Sequence, residues 1–502
     1  MQQNKETGGR VQLMLPDRTI PFEITADCTL PDYRSEISRL LWVRPTLTPP
    51  ERFIGGGKAE LSGKILLEIL YTGPDGVLYG TEHEQGYSFT LPLESTPVAE
   101  EIEVFATPVV DTVISRVTGP RRLSVRCRSH ATVRGVAQAS LALQQHALPE
   151  GEKPHLLCKE EKTGVLIGGG REEWMLSDDV PCEEDTRVLC ARGSVFLSDV
   201  HAAEDEVRVG GEALISLLCC REESEMPLVL EKRVPFERRV ALAGVSPEHR
   251  ACASGTIGRV EVTVEEGQIS FSPHLILTAE AVCDEPVTLC HDLFLPGHRA
   301  ECRFEELSAR RPGLCTNRNF SISAEQALQE LGLGEEIEIA DHICEAEICE
   351  KSTESGKTVW NGKLQCHLLC RRGDEFCVQN AALPFRLCSG ADLTNAHTEC
   401  RVSACRLRVQ NGTLRADAEL QFSLCDAEPL ALRSLCEATF APSAPVPRAA
   451  IELYYPAPTQ TLWDVAKAHG VCPEALAAAN ALDAEAPGEK DSLSGKKFLL
   501  IP

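Results

Sequence analysis

Strand-length blocks of apolar residues, separated by Gly, Pro and Asn, fill most of the chain. One block recurs three times at a spacing of about 150 residues. Its copies run from Gly63 to Tyr71 (GKILLEILY), from Gly211 to Cys219 (GEALISLLC) and from Gly362 to Cys370 (GKLQCHLLC). Each opens on glycine and is followed about 25 residues later by a Phe in a similar setting: Ser88-Phe89, Pro235-Phe236 and Pro384-Phe385. A unit repeated at so long a period is a whole domain rather than one turn of a solenoid.

Between the blocks the pattern alternates with period two, as in half-buried strands. Val260, Val262 and Val264 point one way, Glu261 and Thr263 the other. Late hairpins are predicted at Thr118-Gly119-Pro120, at Glu265 to Gln268 and at Gln410 to Thr413. There Asn411-Gly412 between alternating flanks is the strongest such signal. The repeats therefore read as antiparallel β domains, with sandwich and barrel both open. One helix is expected at Ser323 to Leu331, capped by Ser323. The boundaries fall near residues 149–154 and 309–313, and Ala441 to Pro447, with three prolines, reads as an extended spacer that holds the last segment clear of the repeats.

That last segment has a different rhythm: strand, helix, helix, strand. Ile451 to Tyr455 is the first strand. Thr461 caps a helix from Leu462 to His469 that stops at Gly470. Pro473 opens a second helix, Glu474 to Asn480, after Cys472, a poor cap, and the chain closes on Gly495 to Pro502. Leu462, Val465 and Ala466 share the readily buried helix face, so Trp463, off that face, is expected to be partly exposed.

The chain has 502 residues, 43% of them hydrophobic, and each repeat is long enough for its own core. With 50 Lys and Arg against 75 Asp and Glu, the net charge of −25 speaks against nucleic acid and against anionic membrane surfaces. Met1 to Arg10 carries no apolar leader and no segment is long enough to span a bilayer, so a cytosolic location without direct membrane insertion is expected. The 23 cysteines contain no Cys-x-x-Cys pair and many occupy apolar strand positions, where thiols act as small hydrophobes. In Cys366-His367-x-x-Cys370 the histidine points away from both thiols on a strand. No metal and no cofactor are expected. Gly55-Gly56-Gly57 and Gly168-Gly169-Gly170 read as short loops without a strand-to-helix phosphate context, and no nucleophile elbow, P-loop or His-Glu-x-x-His occurs. The expectation is a protein that is not an enzyme.

Thr461-Leu462-Trp463-Asp464-Val465-Ala466, Gly470-Val471, Ala479-Asn480 and the terminal Gly-Lys-Lys-x-x-x-Ile-Pro closely resemble a LysM domain. The resemblance implies a binding groove between two loops. The first is Thr459, Gln460 and Thr461; the second is Asn480, Ala481, Leu482 and Asp483, with Trp463 beside them. LysM domains commonly bind N-acetylglucosamine glycans such as peptidoglycan, and some bind proteins. Here Thr459-Gln460 replaces the usual Gly-Asp. The second loop is lengthened and carries Asp483, Glu485, Glu489 and Asp491, which suits a basic protein surface better than a neutral sugar. The repeats, through the Gly63–Tyr71 block, the Phe89 region and Tyr33 to Leu41, resemble the SPOCS domain of SipL-type spore coat morphogenetic proteins. The implied architecture is mainly β: SPOCS-like repeats at 1–147, 148–312 and 313–446, then a βααβ LysM domain at 449–502. The implied function is a scaffold in the mother cell, recruited to the forespore surface, whose LysM domain docks the spore coat morphogenetic ATPase. Binding to peptidoglycan is the alternative.

Overall fold

The computed structural model describes residues 10–14, 18–93, 99–140, 153–221, 226–265, 267–334, 337–373, 375–390, 392–393, 397–443, 452–482, 487–488, 493 and 496–502. The chain is mainly β, and every strand pairing is antiparallel.

The first unit runs β1 (Arg10–Met14), β2 (Arg18–Thr29), β3 (Arg39–Leu47), β4 (Glu51–Gly55), β5 (Lys58–Thr72), β6 (Leu78–Pro92), β7 (Ala99–Gly119) and β8 (Arg122–Ser140). β8 pairs with β7 on one edge and with β2 and β1 on the other; β5 pairs with β6 and with β3 and β4. These two sheets face each other over a core of Ile24, Leu61, Ile65, Leu67, Tyr71, Val125 and their neighbours. The second unit runs β9 (His155–Met175), β10 (Asp178–Pro181), β11 (Arg187–Ala203), β12 (Glu206–Cys220), β13 (Leu228–Ala241), β14 (Arg250–Glu265) and β15 (Gln268–Phe294). Its sheets β11-β12-β13 and β14-β15 with β9 and β10 enclose a second core. The third runs β16 (His298–Ala327), β17 (Glu338–Glu354), β18 (Lys357–Arg372), β19 (Glu375–Cys388), β20 (His397–Gln410) and β21 (Thr413–Pro442). Sheets β16-β21-β20 and β17-β18-β19 enclose the third core. Face-to-face sheets with alternating inward residues are sandwiches, which decides the alternative that the pattern left open.

The recurring glycine has the same kind of cross-strand neighbour in all three units. It stands directly across the ladder from an aromatic residue: Gly63 from Tyr87, Gly211 from Phe236, Gly362 from Phe385. A Cβ on Gly63 would lie 2.6 Å from the Tyr87 hydroxyl, and one on Gly362 would lie 2.5 Å from the Phe385 ring. At Gly63 the ring fills the space that a side chain would need. At Gly211 and Gly362 the neighbouring strand's backbone also closes it, such a Cβ overlapping the Phe196 and Glu347 carbonyl oxygens. Both kinds of close approach are what a strand glycine often marks. In the first unit the partner is therefore Tyr87, whereas Phe89 faces Leu61. Tyr71, Cys219 and Cys370 are equivalent and fully buried, and the extra hydroxyl of Tyr71 donates to the Ser35 carbonyl at 3.1 Å.

The late hairpins form where the pattern placed them. Asn411 and Gly412 both have positive φ, 52° and 72°, the geometry that matches strand twist in a two-residue turn. Two readings are corrected. Ser323 to Ala327 is the end of β16, and residues 328–331 form a turn in place of the expected helix. The β16–β21 ladder continues through 324–327, so tertiary pairing overrides a helix-favouring composition. The same ladder runs past residue 312, so the boundary expected at 312/313 falls within β16; the turn between the second and third units is at Leu295 to Gly297.

The three units meet at an apolar junction: Leu70 and Leu78 from the first, Leu189, Cys190 and Leu218 from the second, Leu369 from the third. Leu70, Leu218 and Leu369 hold the same place in the repeat. Each lies beside a bulge, at Leu41, Leu189 and Ala340, that turns the strand toward the junction. Within it the Arg192 guanidinium forms two 2.7 Å hydrogen bonds to the Asp341 carboxylate, whose side chain is 1% exposed. A second seam of Val11, Val287, Leu289, Leu432 and Cys436 joins β1 to the far ends of β15 and β21.

Candidate functional site

The C-terminal module consists of β22 (Glu452–Tyr454), α1 (Leu462–His469), α2 (Pro473–Ala479) and β23 (Leu499–Ile501), with β22 and β23 paired antiparallel. Thr461 and Asp464 form a reciprocal capping box at the start of α1, and Gly470 ends it at φ 59°. Cys472 makes no cap hydrogen bond to α2, whose first residue, Pro473, has no N–H to satisfy.

The structure reverses the reading of Trp463. The side chain is 2% exposed. Its ring packs edge-on to Phe294, centroids 5.0 Å apart, and its Nε1 donates to Asp292 at 2.9 Å. Lys467 Nζ reaches both oxygens of the same carboxylate at 2.7 Å. Helical periodicity places Trp463 off the face that the module itself buries; the second unit supplies the missing cover. The module is thus seated on the ends of β9 and β15 rather than held clear of the repeats; of the expected spacer, Ala441 and Pro442 end β21 and residues 444–447 lie outside the described residues. His155 joins Cys472 and Glu474 at the same contact.

The predicted loop residues fall into two groups. Thr459 is exposed. Gln460 is committed internally, its Oε1 accepting from Tyr454 and from the Ala457 N–H, both at 2.9 Å. Thr461 is the cap. Asn480 clamps the last strand, donating to the Leu476 and Leu500 carbonyls and accepting from the Leu500 N–H. Ala481 is exposed at φ 50°, Leu482 packs on the module core, and Asp483 lies outside the described residues, as do Glu485, Glu489 and Asp491.

What the pattern missed is the outer face of the β22–β23 ribbon. Leu453, Tyr455, Phe498 and Leu500 are 53, 69, 52 and 38% exposed. Leu453 and Leu500 are direct cross-strand partners, and the Tyr455 and Phe498 rings lie 6.2 Å apart. The inner face, Tyr454, Leu499 and Ile501, packs on the helices. The segments Leu453-Tyr454-Tyr455 and Phe498-Leu499-Leu500-Ile501 are apolar on both faces, and that continuity was the available signal. Four contiguous large hydrophobic side chains facing water suit a surface that meets an apolar partner.

Elsewhere the chemistry-bearing residues separate as strand alternation requires. Cys366 and Cys370 are buried, and His367 is exposed and bonded to Asn380 at 2.9 Å. Gly168 to Gly170 are part of β9 rather than a loop. A cluster that no linear spacing announced is His342, Cys344 and Cys405, whose ligand atoms lie within 4.8 Å of one another. Hydrogen bonds from Cys344 and His342 hold the Cys405 thiol below its ordinary pKa. Among the described residues no helix is long and apolar enough to cross a membrane. No protein-family model, curated protein or solved structure matches the chain.

Proposed function

We propose that this protein is a non-enzymatic scaffold of bacterial endospore coat assembly. Three SPOCS-like repeats form its body, and a LysM-like βααβ module docks the coat basement-layer ATPase. The observation that carries the reading is the bare apolar ribbon face of Leu453, Tyr455, Phe498 and Leu500, presented by a module that is seated through α1 on Asp292 and Phe294 of the second unit. Two exposed aromatic rings flanked by leucines have the composition of an interface centre, where such anchors contribute about 2 kcal/mol each. Lys496 and Lys497 beside Phe498 add positive charge at the rim. The groove loops contribute less, because Gln460 and Asn480 are already engaged within the module.

The test uses the full chain. Capture of the ATPase from sporulating cells is expected to be lost in a Tyr455→Ala, Phe498→Ala double variant whose thermal unfolding matches the unsubstituted protein. Undiminished capture by that variant would overturn the reading. Retention of the chain on purified peptidoglycan with no ATPase capture would instead support a glycan-binding role.

A further inference from the structure

The third unit departs from its siblings at one place. Counted from the shared glycine, bulge and hairpin, it has His342, Cys344, Cys366 and Cys405. The first unit has Val43, Pro45, Leu67 and Val113 there, and the second has Ala191, Gly193, Ile215 and Val260. Cysteine as a small buried hydrophobe explains one thiol in such a core. It does not explain an imidazole and three thiols replacing four nonpolar positions together.

We propose that His342, Cys344 and Cys405, completed by Cys366, form a zinc site that clips β17 to β20. His342 and Cys344 are two apart on β17 and so share a face. Cys366 is the cross-strand partner of Cys344 on β18, their sulfurs 3.4 Å apart. Cys405 comes from β20, in the facing sheet. A tetrahedral zinc with Zn–S bonds of about 2.3 Å sets its sulfurs about 3.8 Å apart, and thiolate with imidazole is the donor set that zinc prefers. The ligand atoms of His342, Cys344 and Cys405 lie within 4.8 Å of one another, and Cys366, which touches the group through Cys344, would close the fourth position by a small side-chain adjustment. His342 Nε2 lies 3.1 Å from the Cys405 carbonyl, an outer contact of the kind that orients a ligating ring. His342, Cys344 and Cys405 open on a cavity of about 590 Å³ lined also by Arg44, Arg406 and Arg408, by Glu231 and by the Arg192–Asp341 pair, so positive charge exceeds negative beside an anionic zinc–thiolate group.

β17 and β20 are edge strands of the two facing sheets, so the ion would close the open side of this sandwich. It would also stiffen the segment that holds Asp341, whose Oδ1 accepts the His342 N–H at 2.7 Å while the carboxylate binds Arg192. Only the third unit would then be metal-dependent, at the point where it grips the second.

The experiment uses the full chain, purified with reductant, stripped with chelator and titrated with zinc and, separately, with cobalt(II). One zinc per chain is expected, and cobalt should give thiolate charge-transfer and tetrahedral ligand-field bands. Cys344→Ser and Cys405→Ser should abolish stoichiometric binding. His342→Ala should weaken zinc about tenfold or more and alter the cobalt spectrum, and it remains informative if a cysteine variant fails to fold. A reduced chain that takes up no zinc would overturn the proposal. So would undiminished zinc in folded Cys344→Ser and Cys405→Ser, or a Cys344–Cys366 disulfide that persists without metal capacity. None of these outcomes bears on ATPase docking.

Discussion

Two contacts made by the second unit differ in kind. Against its neighbours it presents bulged strands, the leucines of a shared junction, and a guanidinium that grips a buried carboxylate. Gly80 approaches the backbone of Leu189 so closely that a Cβ there would overlap the carbonyl oxygen. Against the C-terminal module it presents one carboxylate, Asp292, and a small group of side chains, Phe294, Leu157 and His155. The first contact is interlocked backbone with little freedom to reopen. The second is a small polar latch around one tryptophan. The two contacts should therefore respond differently to substitution, the first by loss of the body's stability and the second by release of the module.

The interlocked contact breaks most severely at its ion pair. Arg192→Met leaves the buried Asp341 carboxylate with the His342 N–H but without its cation, and removing one member of a buried pair costs about 3–5 kcal/mol. The expected result is a large drop in the denaturation midpoint of the full chain. Adding Asp341→Leu should restore most of it, since the paired state is not intrinsically favourable over a packed apolar one. If Arg192→Met unfolds at the unsubstituted midpoint, the two units are not held by this pair.

Next in size is Glu82, at the contact of the first and second units, where it faces Arg259 at 3.5 Å and Glu68 across the ladder. Burial is the main cause that lifts its pKa from 4.5 to about 7, with Arg259 opposing and Glu68 reinforcing the rise. Because the folded state keeps the proton that the unfolded chain releases, stability is full below pH 4.5 and declines as pH rises toward 7. The loss is on the order of 3 kcal/mol. Glu82→Gln should remove that decline, seen as a flatter midpoint-against-pH curve than the unsubstituted protein. Parallel curves would mean that Glu82 titrates as an ordinary surface carboxylate.

The contrast also explains what could be read from the residues alone. The glycine-led blocks, the Asn411-Gly412 turn and the α1 cap are local: each depends on side chains a few positions apart, so periodicity and turn chemistry reveal them. The junction depends on one-residue bulges at Leu41, Leu189 and Ala340, which shift register without changing composition. Trp463 was misplaced for a related reason. A helix of eight residues shows which side its own module buries, but not that a carboxylate 171 positions earlier waits for the indole N–H. The exposed ribbon face escaped because alternation identifies a buried face only where the other face is polar, and here both are apolar. The His342–Cys344–Cys405 cluster escaped because Cys405 reaches it from β20, a strand distant in sequence from β17, so no spacing motif joins the three.

The smallest effect belongs to the latch. Asp292, a quarter exposed by its side chain, receives charge-assisted bonds from Lys467 and the Trp463 indole. Asp292→Asn keeps the shape and removes the charge, which should weaken the contact by about 1–2 kcal/mol, the difference between hydrogen bonds to a charged and to a neutral group. The fold of the module itself should survive, because its own core of Leu462, Val465, Ala466, Leu476 and Leu499 is untouched. Hydrogen exchange should then quicken at the ends of β9 and β15 and in α1, with the rest of the chain unchanged, and added salt should mimic the substitution in the unsubstituted protein. ATPase capture should persist, since Asp292 bonds α1 whereas the exposed Tyr455 and Phe498 flank the β22–β23 ribbon. Loss of capture in Asp292→Asn would show that seating on the second unit is part of the docking surface, and the latch would then be a determinant of binding as well as of position.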